Sequence, residues 1–243
     1  MRRSSKSLLL VALLAGIVVC MRKLSLGNEA TWMPFLSESG ERLLFRFVMI
    51  AMGVGGWFVS QSLISSRGLR DGAIGDAIHD WTAPLHDWFV RRTGPANVLL
   101  IVSSVFIDLF GLFLLGSALF GPSVRPGIGL LLLFAFRQVS QALCALPTPP
   151  GMIWRRPGVP ALFVTYDVAN DFFFSGHTSV AVLGAIEIAQ IAPLWVTLAA
   201  AAIAVLEGLT VLVLRAHYTM DVLTAAVAAF VAAALAASLC VGF

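Results

Sequence analysis

The chain has little charge and almost no lysine. Only 12% of its 243 residues are charged, and Lys6 and Lys23 are its only lysines, so arginine supplies most of the positive charge. The hydrophobic fraction is 59% and the mean hydropathy is +0.92, values that soluble globular domains do not reach. The composition therefore predicts a membrane protein, whose solvent is mostly the lipid bilayer.

Cysteine is also scarce, and the sequence lacks the signature of nucleic-acid binding. Cys20, Cys144 and Cys240 lie far apart in apolar stretches, so their spacing offers neither a disulfide framework nor a metal site. No basic run is interleaved with stacking aromatic residues, and the net charge is only +3. Nucleic acid is therefore not expected as a partner.

Long apolar runs separated by glycine and proline predict six transmembrane helices. We place them at about 43–64, 97–121, 127–146, 173–191, 193–214 and 220–242, near the ~20 residues that a bilayer requires. A shorter run from Leu8 to Met21, flanked by basic residues, is typical of a signal peptide or a marginal anchor, and we expect it to stay uncleaved. The predicted fold is an all-α integral membrane protein, with an N-terminal apolar segment and linker over 1–42 and a six-helix domain over 43–243.

The first of two chemically informative motifs is NDFFFSGHTS, residues 170–179. His177 lies just inside the predicted start of a helix, behind Ser175 as its N-cap. The free backbone N–H groups and the positive end of the helix dipole at such a position favour a phosphate.

The second motif is LRAHYTMDV, residues 214–222, at the end of another apolar run on the same predicted membrane face. His217 and Asp221 are four residues apart and share one face if the segment is helical. A carboxylate so placed fixes the tautomer of an imidazole and leaves the other ring nitrogen free to attack. With His177 to protonate a leaving group, the pair predicts phosphoryl transfer that requires no metal or other cofactor.

The predicted loop 65–96 contains two His-Asp-Trp repeats, which begin at His79 and His86. The two histidines could bind a metal. Histidine and tryptophan at a membrane boundary more often belong to an interfacial helix, and we favour that interpretation.

Five charged residues fall within the predicted spans, where such residues are functional suspects. Arg46 is near the end of a span and can extend its guanidinium towards the interface. Asp108 and Arg137 could pair across neighbouring helices. The other two charged residues are Glu187 and Glu207. Arg137 lies ~14 Å below the following loop at helical rise, and Glu207 is similarly deep, so we do not expect either in the active site.

The motifs resemble those of the sphingomyelin synthase family, within the PAP2-type lipid phosphatase and phosphotransferase superfamily. Ser175 to Thr178 and His217 to Asp221 resemble the third and fourth family motifs, and Asp171 falls at an acidic position of the family. The stretch from Phe136 to Met152, an arginine followed by LPTPPGM, resembles another family segment with one extra proline. The resemblance covers residues 136–225 and implies a six-helix bundle of the PAP2 and sphingomyelin synthase type.

The sequence also departs from its relatives. Arg156-Pro157 lacks the upstream basic residue of the phosphatase loop motif. Arg215, two residues before His217, resembles the plant phosphatidylcholine:diacylglycerol cholinephosphotransferases. The position of Asp221 resembles sphingomyelin and ceramide-phosphoethanolamine synthases. These patterns leave the acceptor lipid open.

The resemblance implies a transferase that moves phosphocholine or phosphoethanolamine from a glycerophospholipid to a ceramide or diacylglycerol hydroxyl. His217 would form a phosphohistidine, with Asp221 orienting it and His177 exchanging a proton with the lipid oxygen. The expected substrate-binding residues are Arg215, Asp171, Ser175, Gly176 and Tyr218. The alternatives are a lipid phosphate phosphatase, with water as acceptor, and a non-catalytic membrane protein that binds lipid.

The membrane face of the site is predicted differently by two criteria. Arginine is more abundant on the histidine side, and the positive-inside rule then predicts a cytoplasmic site. The family resemblance implies a lumenal or periplasmic one.

Overall fold

The computed structural model describes residues 40–65, 72, 74–166 and 172–240, and every regular element in these ranges is an α-helix. The helices are α1 (Gly40–Ser65), α2 (Ala77–Trp81), α3 (Ala83–Arg91), α4 (Thr93–Phe120), α5 (Arg125–Leu143), α6 (Gly176–Ile188), α7 (Leu194–Val213) and α8 (Thr219–Leu239). The all-α prediction is therefore confirmed for the described residues. The apolar run from Leu8 to Met21 lies outside them.

Within these ranges, α1, α4, α5, α7 and α8 are long and apolar enough to cross a membrane, and the protein is a multi-pass membrane protein. The predicted span 173–191 instead contains α6, which has only 13 residues. At helical rise α6 is about 20 Å long, shorter than the ~30 Å hydrocarbon core. The count of six regular spanning helices is thus not confirmed.

Helix α6 begins late because the backbone before it is bonded to other elements. The Phe172 carbonyl accepts a hydrogen bond from His217, and the Phe174 carbonyl accepts one from Arg137. The Ser175 N–H donates to the Asp221 carbonyl at 3.2 Å. These bonds replace the helical ones, and non-helical backbone is tolerated at membrane depth where protein surrounds it.

Helix α6 is the centre of the bundle and packs against α4, α5, α7 and α8. Nine of its 13 residues are buried, many of them small, and small residues let helices approach closely in a membrane. At Gly184 an added Cβ would lie 2.3 Å from the Phe110 ring. This packing places the N-terminus of α6, with His177, inside the protein.

The acidic residues predicted in the spans are all engaged. Glu187 forms an ion pair with Arg125 at 2.7 Å, and Glu207 accepts a hydrogen bond from the Ser103 hydroxyl at 2.6 Å. Asp108 accepts the backbone N–H groups of Leu162 and Phe163, both at 2.9 Å. The suggested pairing of Asp108 with Arg137 is therefore replaced by a bond that holds the 144–166 loop against α4.

Arg46 has a structural role at the opposite end of the bundle. Its side chain is buried and donates to the Gly121 carbonyl at 2.8 Å. That bond ties α1 to the turn between α4 and α5.

Candidate active site

The turn between α7 and α8, residues 214–218, carries His217. The Ala216 N–H donates to the Val211 carbonyl at 2.8 Å, and the Arg215 N–H donates to the Leu212 carbonyl at 3.0 Å. This pair of bonds is a Schellman closure, whose left-handed position is usually glycine. Here it is occupied by Arg215, with φ of 54°.

The start of α8 is fixed by the side chain of Asp221. The Asp221 carboxylate accepts the Tyr218 N–H at 2.9 Å, and Tyr218 is the N-cap of the helix. His217 therefore precedes the helix instead of lying inside it.

The His217 ring is oriented by a backbone carbonyl. Its Nδ1 lies 2.8 Å from the Phe172 oxygen, and because a carbonyl can only accept, Nδ1 must carry the proton. The lone pair is then on Nε2, the form required of a nucleophile. The Asp221 Oδ2 is 3.6 Å from Nδ1, which is too long for a hydrogen bond. Our prediction that Asp221 fixes the tautomer is wrong, and Phe172 has that role.

Asp221 instead places a buried carboxylate beside the imidazole. It is completely inaccessible to solvent, and its Oδ1 has no hydrogen-bond partner among the described residues. At 3.6 Å its negative charge favours any positive charge that develops on His217.

His177 lies in the first turn of α6, as predicted. The Ser175 hydroxyl oxygen accepts the Thr178 N–H at 3.3 Å, which confirms Ser175 as the N-cap. The His177 ring is buried, and its Nε2 has no hydrogen-bond partner among the described residues. The ring meets Trp154 edge to face, with centroids 5.0 Å apart.

A cavity of about 250 Å³ is lined by both His177 and His217. Arg137 lines it too, although we did not expect this residue in the site. Its Nε donates to the Phe174 carbonyl at 3.1 Å, and its guanidinium packs over Gly176. The arginine of the family-like 136–152 stretch was the sequence signal for this position.

The remaining predicted site residues have different positions. Gly176 lines the cavity, whereas Ser175, Tyr218 and Arg215 do not. The Arg215 guanidinium donates to the Pro150 carbonyl at 3.0 Å, and the Tyr218 ring stacks on His79 with centroids 5.6 Å apart. Asp171 lies outside the described residues.

Helices α2 and α3 support the turn that carries His217. The buried His79 Nε2 donates to the His217 carbonyl at 2.9 Å, and the buried His86 Nδ1 donates to the Val213 carbonyl at 2.8 Å. The Asp76 carboxylate accepts both the N–H and the hydroxyl of Thr219 at 2.6 Å. The two histidines thus have structural roles here.

The two His-Asp-Trp repeats also have the outward tryptophans of an interfacial segment. Trp81 is 75% exposed and Trp88 is 36% exposed. The Arg92 guanidinium lies 4.7 Å from the Trp88 ring centroid, a cation–π contact.

Two titratable groups of this support have shifted pKa values. Burial lowers the pKa of His86, and the nearby Arg215 guanidinium lowers it further. Burial alone would raise the pKa of Asp76, but the hydrogen bonds from Thr219 and His79 outweigh it, so the pKa is lowered. Both groups therefore make the folded protein more stable at neutral pH than at acidic pH.

The comparisons with known proteins gave one match. Residues 76–238, about two thirds of the chain, match the family model AtPDCT1/2, which represents phosphatidylcholine:diacylglycerol cholinephosphotransferases. No curated protein and no solved structure matches the chain. The matched range contains both histidine motifs, Arg137 and the α2–α3 support. The chain therefore belongs to the AtPDCT1/2 family of phosphatidylcholine:diacylglycerol cholinephosphotransferases.

Proposed function

We propose that the protein transfers phosphocholine from phosphatidylcholine to diacylglycerol through a covalent phosphohistidine at His217. The observation that carries the proposal is the cavity shared by His177, His217 and Arg137, with the His217 tautomer already set for attack by the Phe172 carbonyl. The name of the family supplies the head group and the acceptor.

In the first half-reaction the His217 Nε2 lone pair attacks the phosphorus of phosphatidylcholine. A nitrogen–phosphorus bond forms, and the bond from phosphorus to the diacylglycerol oxygen breaks. His177 gives its proton to that oxygen as a general acid. Its Nε2, buried without a hydrogen-bond partner among the described residues, is the atom we assign to this transfer.

In the second half-reaction a diacylglycerol hydroxyl attacks the phosphohistidine. The His177 Nε2 takes the hydroxyl proton, the new oxygen–phosphorus bond forms and the bond to His217 breaks. The product is phosphatidylcholine with a different diacylglycerol part, and both histidines return to their starting forms. The exchange of acid and base roles follows from microscopic reversibility.

Three features would stabilise the charges that develop. The Arg137 guanidinium and the N-terminus of α6 would face the phosphate oxygens. The Asp221 carboxylate, 3.6 Å from His217 Nδ1, would balance the positive charge on the phosphorylated ring. Arg137 lines the cavity and Arg215 does not, so we assign Arg137 rather than Arg215 to the phosphate.

A lipid acceptor fits this cavity better than water does. Apart from the two histidines, Arg137 and Thr165, the described residues that line it are apolar or glycine. Apolar walls favour a lipid over water near a reactive intermediate. This composition supports the transferase over the alternative PAP2-type phosphatase, which uses the same histidine chemistry with water as acceptor.

The proposal includes a PAP2-type layout. The buried stretch from Phe172 to Ser175 together with α6 would form a sixth membrane crossing, and the site would face the lumen or periplasm. Cysteine-accessibility labelling in oriented vesicles tests the face. A Leu85→Cys variant, exposed on α3, should be labelled from the lumenal or periplasmic side only.

The test of function uses purified protein in mixed micelles with phosphatidylcholine labelled in its choline. Diacylglycerol, ceramide or no acceptor is supplied. We expect label in new phosphatidylcholine with diacylglycerol and none in the His217→Ala or His177→Ala variants. Label in sphingomyelin would replace diacylglycerol with ceramide as the acceptor, and phosphocholine released under all conditions would establish a hydrolase. Labelled lipid that binds but is never turned over would favour the non-catalytic alternative.

A further inference from the structure

Aromatic rings form much of the wall of the catalytic cavity. They belong to α1, α5, the loop after α5 and the segment before α6: Trp57, Phe58, Phe134, Trp154, Phe163 and Phe172. No aspartate or glutamate among the described residues lines the cavity. Among the described residues, a positively charged head group in this cavity would therefore contact aromatic rings and no carboxylate.

This wall distinguishes between the two common zwitterionic head groups. A quaternary ammonium has no N–H group and is bound by aromatic faces, as in known choline and methyl-lysine cages. A primary ammonium has three N–H donors that need acceptors when it leaves water. The cavity is therefore chemically suited to choline and poorly suited to ethanolamine.

The Trp154 ring contacts the ring of His177 directly. Its ring centroid is 5.0 Å from that of His177. The indole Nε1 donates to the Thr165 carbonyl at 3.1 Å, and the ring packs on Tyr166 with centroids 5.1 Å apart. The ring orientation is thus fixed before a substrate binds, which lowers the entropic cost of recognition.

The position of the phosphate determines where the ammonium can lie. A phosphate at His177 and His217 carries its choline nitrogen only one oxygen and two carbons away. The guanidinium of Arg137 would repel that nitrogen, whereas Trp154 offers it an uncharged π-system beside His177. We infer that Trp154 is the specificity-determining residue that selects the trimethylammonium group of the donor. This inference rests on the proposed function.

The test compares three donors that differ only at the head-group terminus: phosphatidylcholine, phosphatidylethanolamine and the 3,3-dimethylbutyl ester analogue of phosphatidylcholine, whose terminus is an uncharged tert-butyl group. The variants are Trp154→Leu, which removes the π-face but keeps apolar bulk, and Trp154→Phe, which keeps a ring. Trp195→Leu is the matched control, because Trp195 is 68% exposed and does not line the cavity.

We expect wild type to prefer phosphatidylcholine over both other donors in kcat/KM. Trp154→Leu should lose about 3–30-fold of the preference over the 3,3-dimethylbutyl analogue, the range of a cation–π contact. Trp154→Phe should keep most of the preference, and Trp195→Leu should keep all of it. The measured quantity is a ratio of kcat/KM values between donors. Partial misfolding of a variant lowers both values equally and leaves this ratio unchanged.

Two results would overturn the inference while leaving the transferase intact: equal use of the three donors by wild type, or equal losses on all three in Trp154→Leu. Equal losses would mean that the indole only supports His177. If wild type transferred no head group from any donor, the proposed function would fail, and this inference with it.

Discussion

Removal of His79 tests whether the α2–α3 support positions the nucleophile. In the His79→Ala variant the His217 carbonyl loses its 2.9 Å hydrogen bond from a buried donor, which costs about 1–3 kcal/mol. The ring contact with Tyr218 adds about 0.5–1.5 kcal/mol. We expect a loss of about 2–4 kcal/mol in the free energy of unfolding.

The same carbonyl belongs to His217, the proposed nucleophile, so the rate should fall as well. A displacement of about 1 Å costs on the order of 100-fold in rate, and we expect kcat of His79→Ala to fall by about 10–100-fold on that basis. His79→Gln is the matched control, because its side-chain Nε2 can occupy the place of the imidazole Nε2 and should restore most of kcat.

The assay combines thermal unfolding in detergent with the labelled-choline transfer reaction at saturating donor. If His79→Ala loses stability but keeps the wild-type kcat, the turn is positioned without α2 and our reasoning is refuted. The same conclusion follows if His79→Gln is as slow as His79→Ala.

Three further predictions concern charge, pH and packing. Arg137→Gln should lower kcat by about 100–1,000-fold through lost transition-state charge stabilisation, with Arg137→Lys intermediate; unchanged kcat would remove Arg137 from the site. Because the pKa of His86 is lowered from 6.5, the unfolded chain binds its proton more readily, so stability should fall as the pH drops below 6.5. His86→Asn keeps the donor and should remove this part of the slope in thermal unfolding from pH 5 to 8; an unchanged slope would contradict the assignment. Gly184→Ala should destabilise by about 1–3 kcal/mol because its Cβ would meet Phe110 at 2.3 Å, whereas Gly55→Ala, with open space around it, should not; similar melting of both variants would contradict this packing.

The long helices were predictable from the sequence because a segment must be apolar over about 20 residues to cross a bilayer. Proline and glycine mark the ends of these segments. The span at 173–191 was not, since hydropathy cannot register the bonds that hold Phe172 to Ser175 out of a helix. Those bonds come from Arg137, His217 and Asp221, which are distant in sequence.

The candidate site was predictable in its two histidines and less so in their partners. The expected hydrogen bond of His217 to Asp221 assumed that both residues are helical. Helix α8 begins only at Thr219, so His217 lies before it and its Nδ1 is 3.6 Å from the Asp221 carboxylate. From its distance along α5, we expected Arg137 to lie too deep in the membrane to belong to the active site. That estimate could not include the fact that α6 starts inside the bundle and brings His177 to the depth of Arg137.

The most direct test of the central claim is mass spectrometry of protein incubated with phosphatidylcholine in the absence of acceptor and digested under mildly alkaline conditions. The account predicts an acid-labile phosphocholine adduct on the peptide that contains His217. The adduct should be absent from His217→Ala and should disappear from wild type when diacylglycerol is added. An adduct on His177, or head-group transfer at full rate in His217→Ala, would contradict it.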